Sequence, residues 1–567
     1  MPYRAPVKDI RFILDHVVGF AEVAATPRFS SATPDLTEAI LAEAGRISTD
    51  VLAPLNRAGD LNPARLENGA VVSSPGYAEG YRAIAEGGWV GMAASPEHGG
   101  MGLPIALALS VDEMMSGACL ALQLKPLLSK GQIEALEHHG SDALKALYLP
   151  KLTSGEWSGT MNLTEPHAGT DVGSLRSKAV PKGDGTYAVS GQKIFITWGD
   201  SDLVSNVCHL VLARLPDGVP GTKGISLFMV PKFLPDAAGN PGARNSLRVV
   251  SLEHKLGIHG SPTCVMQFED ATGWLVGEPH NGMAAMFTMM NNARLSVAAQ
   301  GVGVAEAALQ HALAYAEGRR QGVTPVSQDG AIIEHADVRR MLAAMRAEVF
   351  AARSIALSCA VAIDMATATG AADWKARAAF LTPIAKAHCT DIACEVAHQG
   401  VQVHGGMGFI EETGAAQFLR DARILPIYEG TNGIQAMDLV GRKMADGGEV
   451  AFRLIDEVQR GAEAARAKLP DLAGDVWAAA EALREATEAL VAMGLNDRFA
   501  GAVAYLRAFA RVLGGQAHLK AALADAGREA LARVMIRRLL PEHGALLAQV
   551  REGAAGLYEV GPDDLAA

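Results

Sequence analysis

Apolar residues recur at three- and four-residue spacing through the first part of the chain. They break into short runs from about residue 159 and resume the helical period from about residue 282. In the first part, Leu36, Ile40, Ala44 and Ile47 fall on one helical face behind a candidate cap at Asp35 or Thr37. The segment 97–104, rich in glycine, reads as a loop between helices. In the second part, 186–197 reads as a hairpin, and 207–213, 224–230 and 263–268 read as short strands punctuated by Gly, Pro and Asp. In the third part, 295–309 is apolar nearly all round, as a buried bundle helix is. Residues 446–567 are alanine-rich; Val476, Ala479, Leu483, Ala486 and Leu490 share one face.

Helices, then strands, then helices predict an α+β multidomain chain rather than a parallel α/β sheet. The expected order is an N-terminal extension (1–40), an N-terminal helical domain (41–158), a central β barrel or sandwich (159–281), a C-terminal four-helix bundle (282–445) and an extra helical module (446–567).

A length of 567 residues allows several domains and a large core. The formal charge of −12 leaves no basic stripe for nucleic acid. Six scattered cysteines form no Cys-x-x-Cys pair and no zinc-like spacing, so they read as small buried hydrophobes and no metal is expected. The charged N-terminus lacks the apolar core of a signal peptide. No apolar run is expected to reach the roughly 20 residues of a membrane span. These features together predict a cytoplasmic protein.

Chemistry concentrates in three places. Glu429 stands between the apolar run 424–428 and Gly430, where a carboxylate can be partly desolvated, raised in pKa and set to remove a weakly acidic proton. An ordinary loop glutamate has the same local look. Upstream, 161–171 (MNLTEPHAGTD) offers the hydroxyls of Thr164 and Thr170 and backbone donors around Gly169. The run 191–197 (GQKIFIT) offers Phe195 and Thr197. Each alone is also what a loop or strand end provides.

In this order the three segments resemble the acyl-CoA dehydrogenase family of flavoenzymes over roughly residues 40–445. The resemblance implies FAD as cofactor. Its flavin contacts map onto Met161, Leu163, Thr164, Gly169, Thr170, Phe195 and Thr197, with Phe195 where the family usually has tryptophan. Arg319 matches the arginine that reaches the FAD diphosphate of a neighbouring subunit, with Arg320 as the alternative. Gln402, Gly405 and Gly406 match a segment that holds the dinucleotide across a subunit interface; His404 beside them reads as structural. Thr431 is placed to bond the cofactor. Arg294, Tyr428 and Gly430 match substrate-side positions. Some family members carry their base just before this arginine, but Ala293 stands there, which leaves the role to Glu429.

The implied reaction is α,β-dehydrogenation of an acyl-CoA thioester, with an electron-transferring flavoprotein as acceptor and a homo-oligomer as the working form. Both ends of the chain and the string 426–443 resemble the 3-methylmercaptopropionyl-CoA dehydrogenase branch, which serves dimethylsulfoniopropionate breakdown. This predicts a short linear acyl-CoA as substrate. A general short- or medium-chain dehydrogenase, an acyl-CoA oxidase and a scaffold without catalysis stay open at the level of sequence.

Overall fold

The computed structural model describes residues 3–566, apart from the side chains of Asn291 and Asn292; Met1, Pro2 and Ala567 lie outside the described residues. The chain forms two compact units that interleave in sequence. One comprises the stretch up to Gly45, Pro104–Gly117 and everything from Val297 onward. The other comprises Arg46–Leu103 and Ala118–Ser296. The helix Ile105–His139 passes from one to the other beside Cys119, whose backbone is non-helical (φ −156°, ψ 88°).

The second unit holds a seven-stranded sheet: β1 (Trp157–Asn162), β2 (Lys178–Pro181), β3 (Tyr187–Thr197), β4 (Asn206–Arg214), β5 (Ile225–Pro231), β6 (Leu247–Leu252) and β7 (Thr263–Val276). β7 pairs with β3 and β5, β3 with β2, β5 with β4, and β2 touches β4 through Lys178 and Arg214. The ring is therefore closed, as the barrel reading requires. β1 joins β4 in parallel and β6 joins β7 on the outside. Val189, Val211, Phe228, Val230, Met266 and Phe268 fill its core.

The expected hairpin over 186–197 is instead one strand of 11 residues. Gly191 is not a turn residue here. A Cβ on it would lie 2.2 Å from the Ser177 hydroxyl oxygen, so glycine is needed for close approach of a neighbouring strand end.

The first unit is helical: α1 (Val7–His16), the 297–318 part of α2 (Gly282–Gly318), α3 (Ala336–Thr369), α4 (Ala372–His404), α5 (Asn432–Asp438), α6 (Glu449–Ala465), α7 (Pro470–Ala492) and α8 (Leu495–Ala524). Small residues let α2 approach α4 closely: a Cβ on Gly301 would lie 2.5 Å from the Cys389 carbonyl oxygen. α8 packs on α3 and α4, so the alanine-rich module is built onto the bundle. Val476, Ala479, Leu483, Ala486 and Leu490 are all buried on α7, as their spacing predicts.

The helix Pro34–Ile47 begins earlier than expected, and Thr33, not Asp35 or Thr37, caps it by accepting from the Leu36 N–H at 3.3 Å.

A buried charge node ties this unit together. Arg353, fully buried, donates to Glu113 and Glu306 at 2.8 Å each. Asp9 on α1 pairs with Arg346 and, at 2.9 Å, with Arg528. The Arg528 guanidinium also lies over the Phe12 ring, 3.7 Å from its centroid.

Contrary to expectation, two helices, Ile105–His139 and Ala336–Thr369, are long and apolar enough to cross a membrane. Their apolar windows are 94% and 78% buried within the protein, which accounts for the composition. All six cysteines are free, and five are buried. No metal-binding group of His, Cys, Asp and Glu is present among the described residues.

Candidate active site

In the first unit, the segment after Leu425 turns sharply. The amides of Ile427 and Tyr428 both donate to the Ile424 carbonyl, at 2.9 and 3.2 Å. Glu429 and Gly430 then both adopt the left-handed conformation, with φ of 57° and 83°. For a glutamate this costs about 1–3 kcal/mol and persists only where surroundings over-determine it.

They do so here. The Tyr428 hydroxyl donates to Gln300. The Gln435 amide donates to the carbonyls of Glu429 (3.2 Å) and Gly430 (3.4 Å). A Cβ on Gly430 would sit 2.8 Å from that same amide nitrogen and would displace it, and the φ of 83° favours glycine. Thr431 closes the turn by capping α5, its hydroxyl accepting from the Ile434 N–H at 3.3 Å. One carboxyl oxygen of Glu429, Oε2, is shielded from solvent.

The turn thus holds a carboxylate in a fixed and partly desolvated place, as a general base requires. Tyr428, matched to a substrate-side position, directs its hydroxyl inward to Gln300. Burial, and then the neighbouring Glu429 charge, push its pKa up.

In the second unit, β1 delivers Met161, β3 delivers Phe195 and Thr197, and the loop 163–170 runs beside them. The Ile194 N–H donates to the Thr164 carbonyl at 2.9 Å, and Glu165 and Ala168 exchange two 3.0 Å backbone bonds. Beneath the loop lies a buried ion pair that sequence reasoning did not assign. Lys193 donates to Glu165 at 2.8 Å and to the Leu163 carbonyl at 3.2 Å. Glu165 also accepts from the Ser177 hydroxyl (2.6 Å) and from the amides of Ser177 (3.0 Å) and Arg176 (2.7 Å). Burial opposes its charge, but Lys193 and these donors prevail and hold the carboxyl at about 2. Both residues were visible in the two motifs; their pairing follows only from the strand geometry.

Above this anchored base the surface is open. The hydroxyls of Thr164, Thr170 and Thr197 have no protein partner among the described residues. Nothing lies within 4 Å of a Cβ built on Gly169. Phe195 is 59% exposed and left-handed, with φ 61°. The β3–β7 register shifts opposite it, between Cys264 and Met266, and such a bulge re-aims a side chain. A flat aromatic wall, free hydroxyl donors and an open glycine backbone fit the ring and phosphates of a flavin nucleotide.

A third cluster sits at one end of the first unit's bundle. His404 stacks on Tyr315 and His311, at 4.4 and 4.6 Å between centroids, and bonds the Gly400 carbonyl at 2.7 Å. Burial depresses its pKa and so favours the neutral ring. The stack joins the end of α2, which leads into Arg319, to the end of α4, which leads into Gly405 and Gly406. Gln402, Gly405 and Gly406 are exposed, and both glycines have open space where a Cβ would stand. Arg320 is tied to Asp329 (3.4 Å) and to the Glu317 carbonyl. Arg319 is exposed, and its guanidinium has no partner among the described residues. That contrast favours Arg319 as the anion contact. Arg294 and Ala293 are both buried on α2.

Comparison with known proteins shows the family. The chain matches the N-terminal domain (38–156), middle domain (160–271) and C-terminal domain (280–444) models of acyl-CoA dehydrogenase. An acetyl-CoA dehydrogenase C-terminal-like model covers 454–560. It is 48% identical to a 3-methylmercaptopropionyl-CoA dehydrogenase of Ruegeria pomeroyi, over 89% of this chain and 88% of that protein. It is 36% identical to a broad-specificity linear acyl-CoA dehydrogenase of Mycobacterium tuberculosis, over 78% and 75%. Among solved structures, an acyl-CoA dehydrogenase of Bacillus anthracis complexed with FAD shares the fold, with TM-score 0.76 at 20% identity over 97% of this chain and 92% of that one. The chain belongs to the acyl-CoA dehydrogenase family.

Proposed function

We propose that the chain catalyses FAD-dependent α,β-dehydrogenation of a short linear acyl-CoA, with 3-methylmercaptopropionyl-CoA among its best substrates. The observation that carries this reading is the strained, over-determined Glu429–Gly430 turn, which presents a partly shielded carboxylate. Glu429 removes the α-proton of the thioester. When bound, FAD supplies the acceptor for the β-hydride. Phe195 forms the wall for the ring, with Met161 and Leu163 beside it. Thr164, Thr170, Thr197 and the backbone at Gly169 donate to ring edge and phosphates. Thr431 keeps its hydroxyl proton for the cofactor, since its cap bond uses only the oxygen. Tyr428 and Gly430 are assigned to the substrate side, and by its own match to the family so is Arg294.

Arg319, Gln402, Gly405 and Gly406, exposed at one end of the bundle, meet the dinucleotide of another copy, which makes the working form a homo-oligomer. An electron-transferring flavoprotein takes the electrons, and the enzyme works in the cytoplasm. The substrate reading rests on the Ruegeria relative, whose name states that activity. A thioether is close to a methylene in size and is polarizable, so it suits an apolar pocket and discrimination against butyryl-CoA is modest, about 1–3 kcal/mol.

Glu429→Gln tests the assignment. The variant loads FAD and loses turnover by at least about 10²–10⁴-fold. Retention of a tenth of wild-type kcat removes Glu429 from the role. A panel of acyl-CoAs scored by kcat/KM tests the substrate: palmitoyl- or isovaleryl-CoA outrunning every short linear thioester overturns the branch and leaves the dehydrogenase in place.

A further inference from the structure

Lys386 is fully buried on α4, where Ile384, Ala385, Ala387, His388 and Thr390 are buried with it. Its ammonium donates to the Gly430 carbonyl and to Asn432 Oδ1, both at 2.9 Å. Asn432 is held in turn. Its amide donates to Asp391 (2.7 Å), the Thr390 hydroxyl (2.9 Å) and the Ala387 carbonyl (3.1 Å). Thr390 itself bonds back to the Lys386 carbonyl at 2.8 Å. One turn of α4 therefore grips both sides of the Gly430–Thr431–Asn432 backbone.

A buried ammonium is expensive, and Asn432 Oδ1 and the charge of the Asp391 carboxylate offset part of that cost. Its place here answers a specific need. Glu429 is a non-glycine residue in the left-handed region, and the carbonyl of the next residue, Gly430, is turned toward Lys386 and Gln435. The charge on Lys386 gives that carbonyl a strong, charge-assisted partner. Gln435 reaches the same carbonyl only at 3.4 Å.

We propose that Lys386 is the positioning residue of the catalytic base: it fixes the Gly430 carbonyl and so locks Glu429 in its left-handed, working orientation. The inference rests on the reading of Glu429 as the base. Lys386 touches neither substrate nor cofactor; it acts through the turn.

The role separates from general support of the fold by kinetic coupling. In the FAD-loaded enzyme, Lys386→Met lowers kcat about 10²-fold, the scale of a misplacement of about 1 Å. KM for a short acyl-CoA stays within about threefold, and FAD content is unchanged. An α-deuterated substrate then shows a larger isotope effect on kcat than in wild type, because proton removal has become slower. In a Glu429→Gln background the same substitution costs nothing more, since there is no base left to place. Lys386→Gln, which keeps a donor, shows the same pattern with a smaller loss. It also serves as the readout if Lys386→Met does not fold.

The proposal is overturned if either variant keeps more than half of wild-type kcat. It is equally overturned if the loss lies in KM or FAD content, or if the loss is the same with and without Glu429. If Glu429→Gln alone stays active, the base assignment fails instead, whatever Lys386 does.

Discussion

The flavin cradle of the second unit and the Glu429 turn of the first are built on opposite plans. In the cradle, the interior is saturated and the surface is not. Glu165 and Lys193 satisfy each other below, while the hydroxyls of Thr164, Thr170 and Thr197 have no protein partner among the described residues. In the turn, the polar groups around the functional residue are engaged. The carbonyls of Glu429 and Gly430, the Tyr428 hydroxyl and the Asn432 amide all have protein partners. A surface that recognises a cofactor needs donors left available. A segment that aims one carboxylate needs its backbone held, because the conformation it holds is unfavourable by itself.

The comparison breaks most severely if the base of the cradle is removed. Glu165→Ala strands the Lys193 ammonium in the core and lowers stability by about 3–5 kcal/mol, read by urea denaturation, with loss of bound FAD. Replacing both, Glu165→Leu with Lys193→Met, regains much of that stability without restoring FAD affinity. Next in size is the open donor at the bundle end. Arg319→Ala weakens FAD retention by about ten- to a hundredfold, the worth of a charged hydrogen bond, in a flavin-release titration. Arg320→Ala, which breaks an exposed pair with Asp329, changes it less than about twofold.

Gly430→Ala tests the turn. An alanine at φ 83° is strained and meets Gln435, so stability falls by about 1–2 kcal/mol while kcat falls more than KM rises. Acid sensitivity tests the base of the cradle again. The Glu165 carboxyl lies at about 2 in the folded protein against an ordinary 4.5. Its contribution is complete above about pH 4.5 and disappears as pH falls toward 2. The stability gap between wild type and Glu165→Gln therefore narrows across that window.

Much of this was legible in the chain. The change of hydrophobic period near 159 and 282 announced the helical, barrel and helical parts, because burial on one face imposes its period on the sequence. Glu429, the threonines and Phe195 stood in motifs. What stayed hidden were pairings across distance. Lys193 meets Glu165 across 28 positions and Lys386 meets Gly430 across 44, and neither separation has a local signature. The signal available was a lysine at a position that the helix or strand period turns toward the core, a residue that is rarely buried without a purpose. The hairpin expected at 186–197 failed for a related reason: Gly191 serves a contact with Ser177, which the local sequence does not display. Arg319 and Arg320 are adjacent and chemically alike in sequence; the bonds of Arg320 to Asp329 and to the Glu317 carbonyl tell them apart.

The bond between Asp9 and Arg528 spans 519 positions, and it makes time a part of this architecture. At a translation rate of roughly 5–20 residues per second, the two side chains are made roughly half a minute to two minutes apart. Through that interval α1 lacks one of the guanidinium groups that pair with Asp9 and the cation that covers Phe12. The helix is synthesised early and docks fully late, once the region around Arg528 has left the ribosome. A nascent chain stalled before that point carries an α1 that proteases reach more readily than once Arg528 has docked.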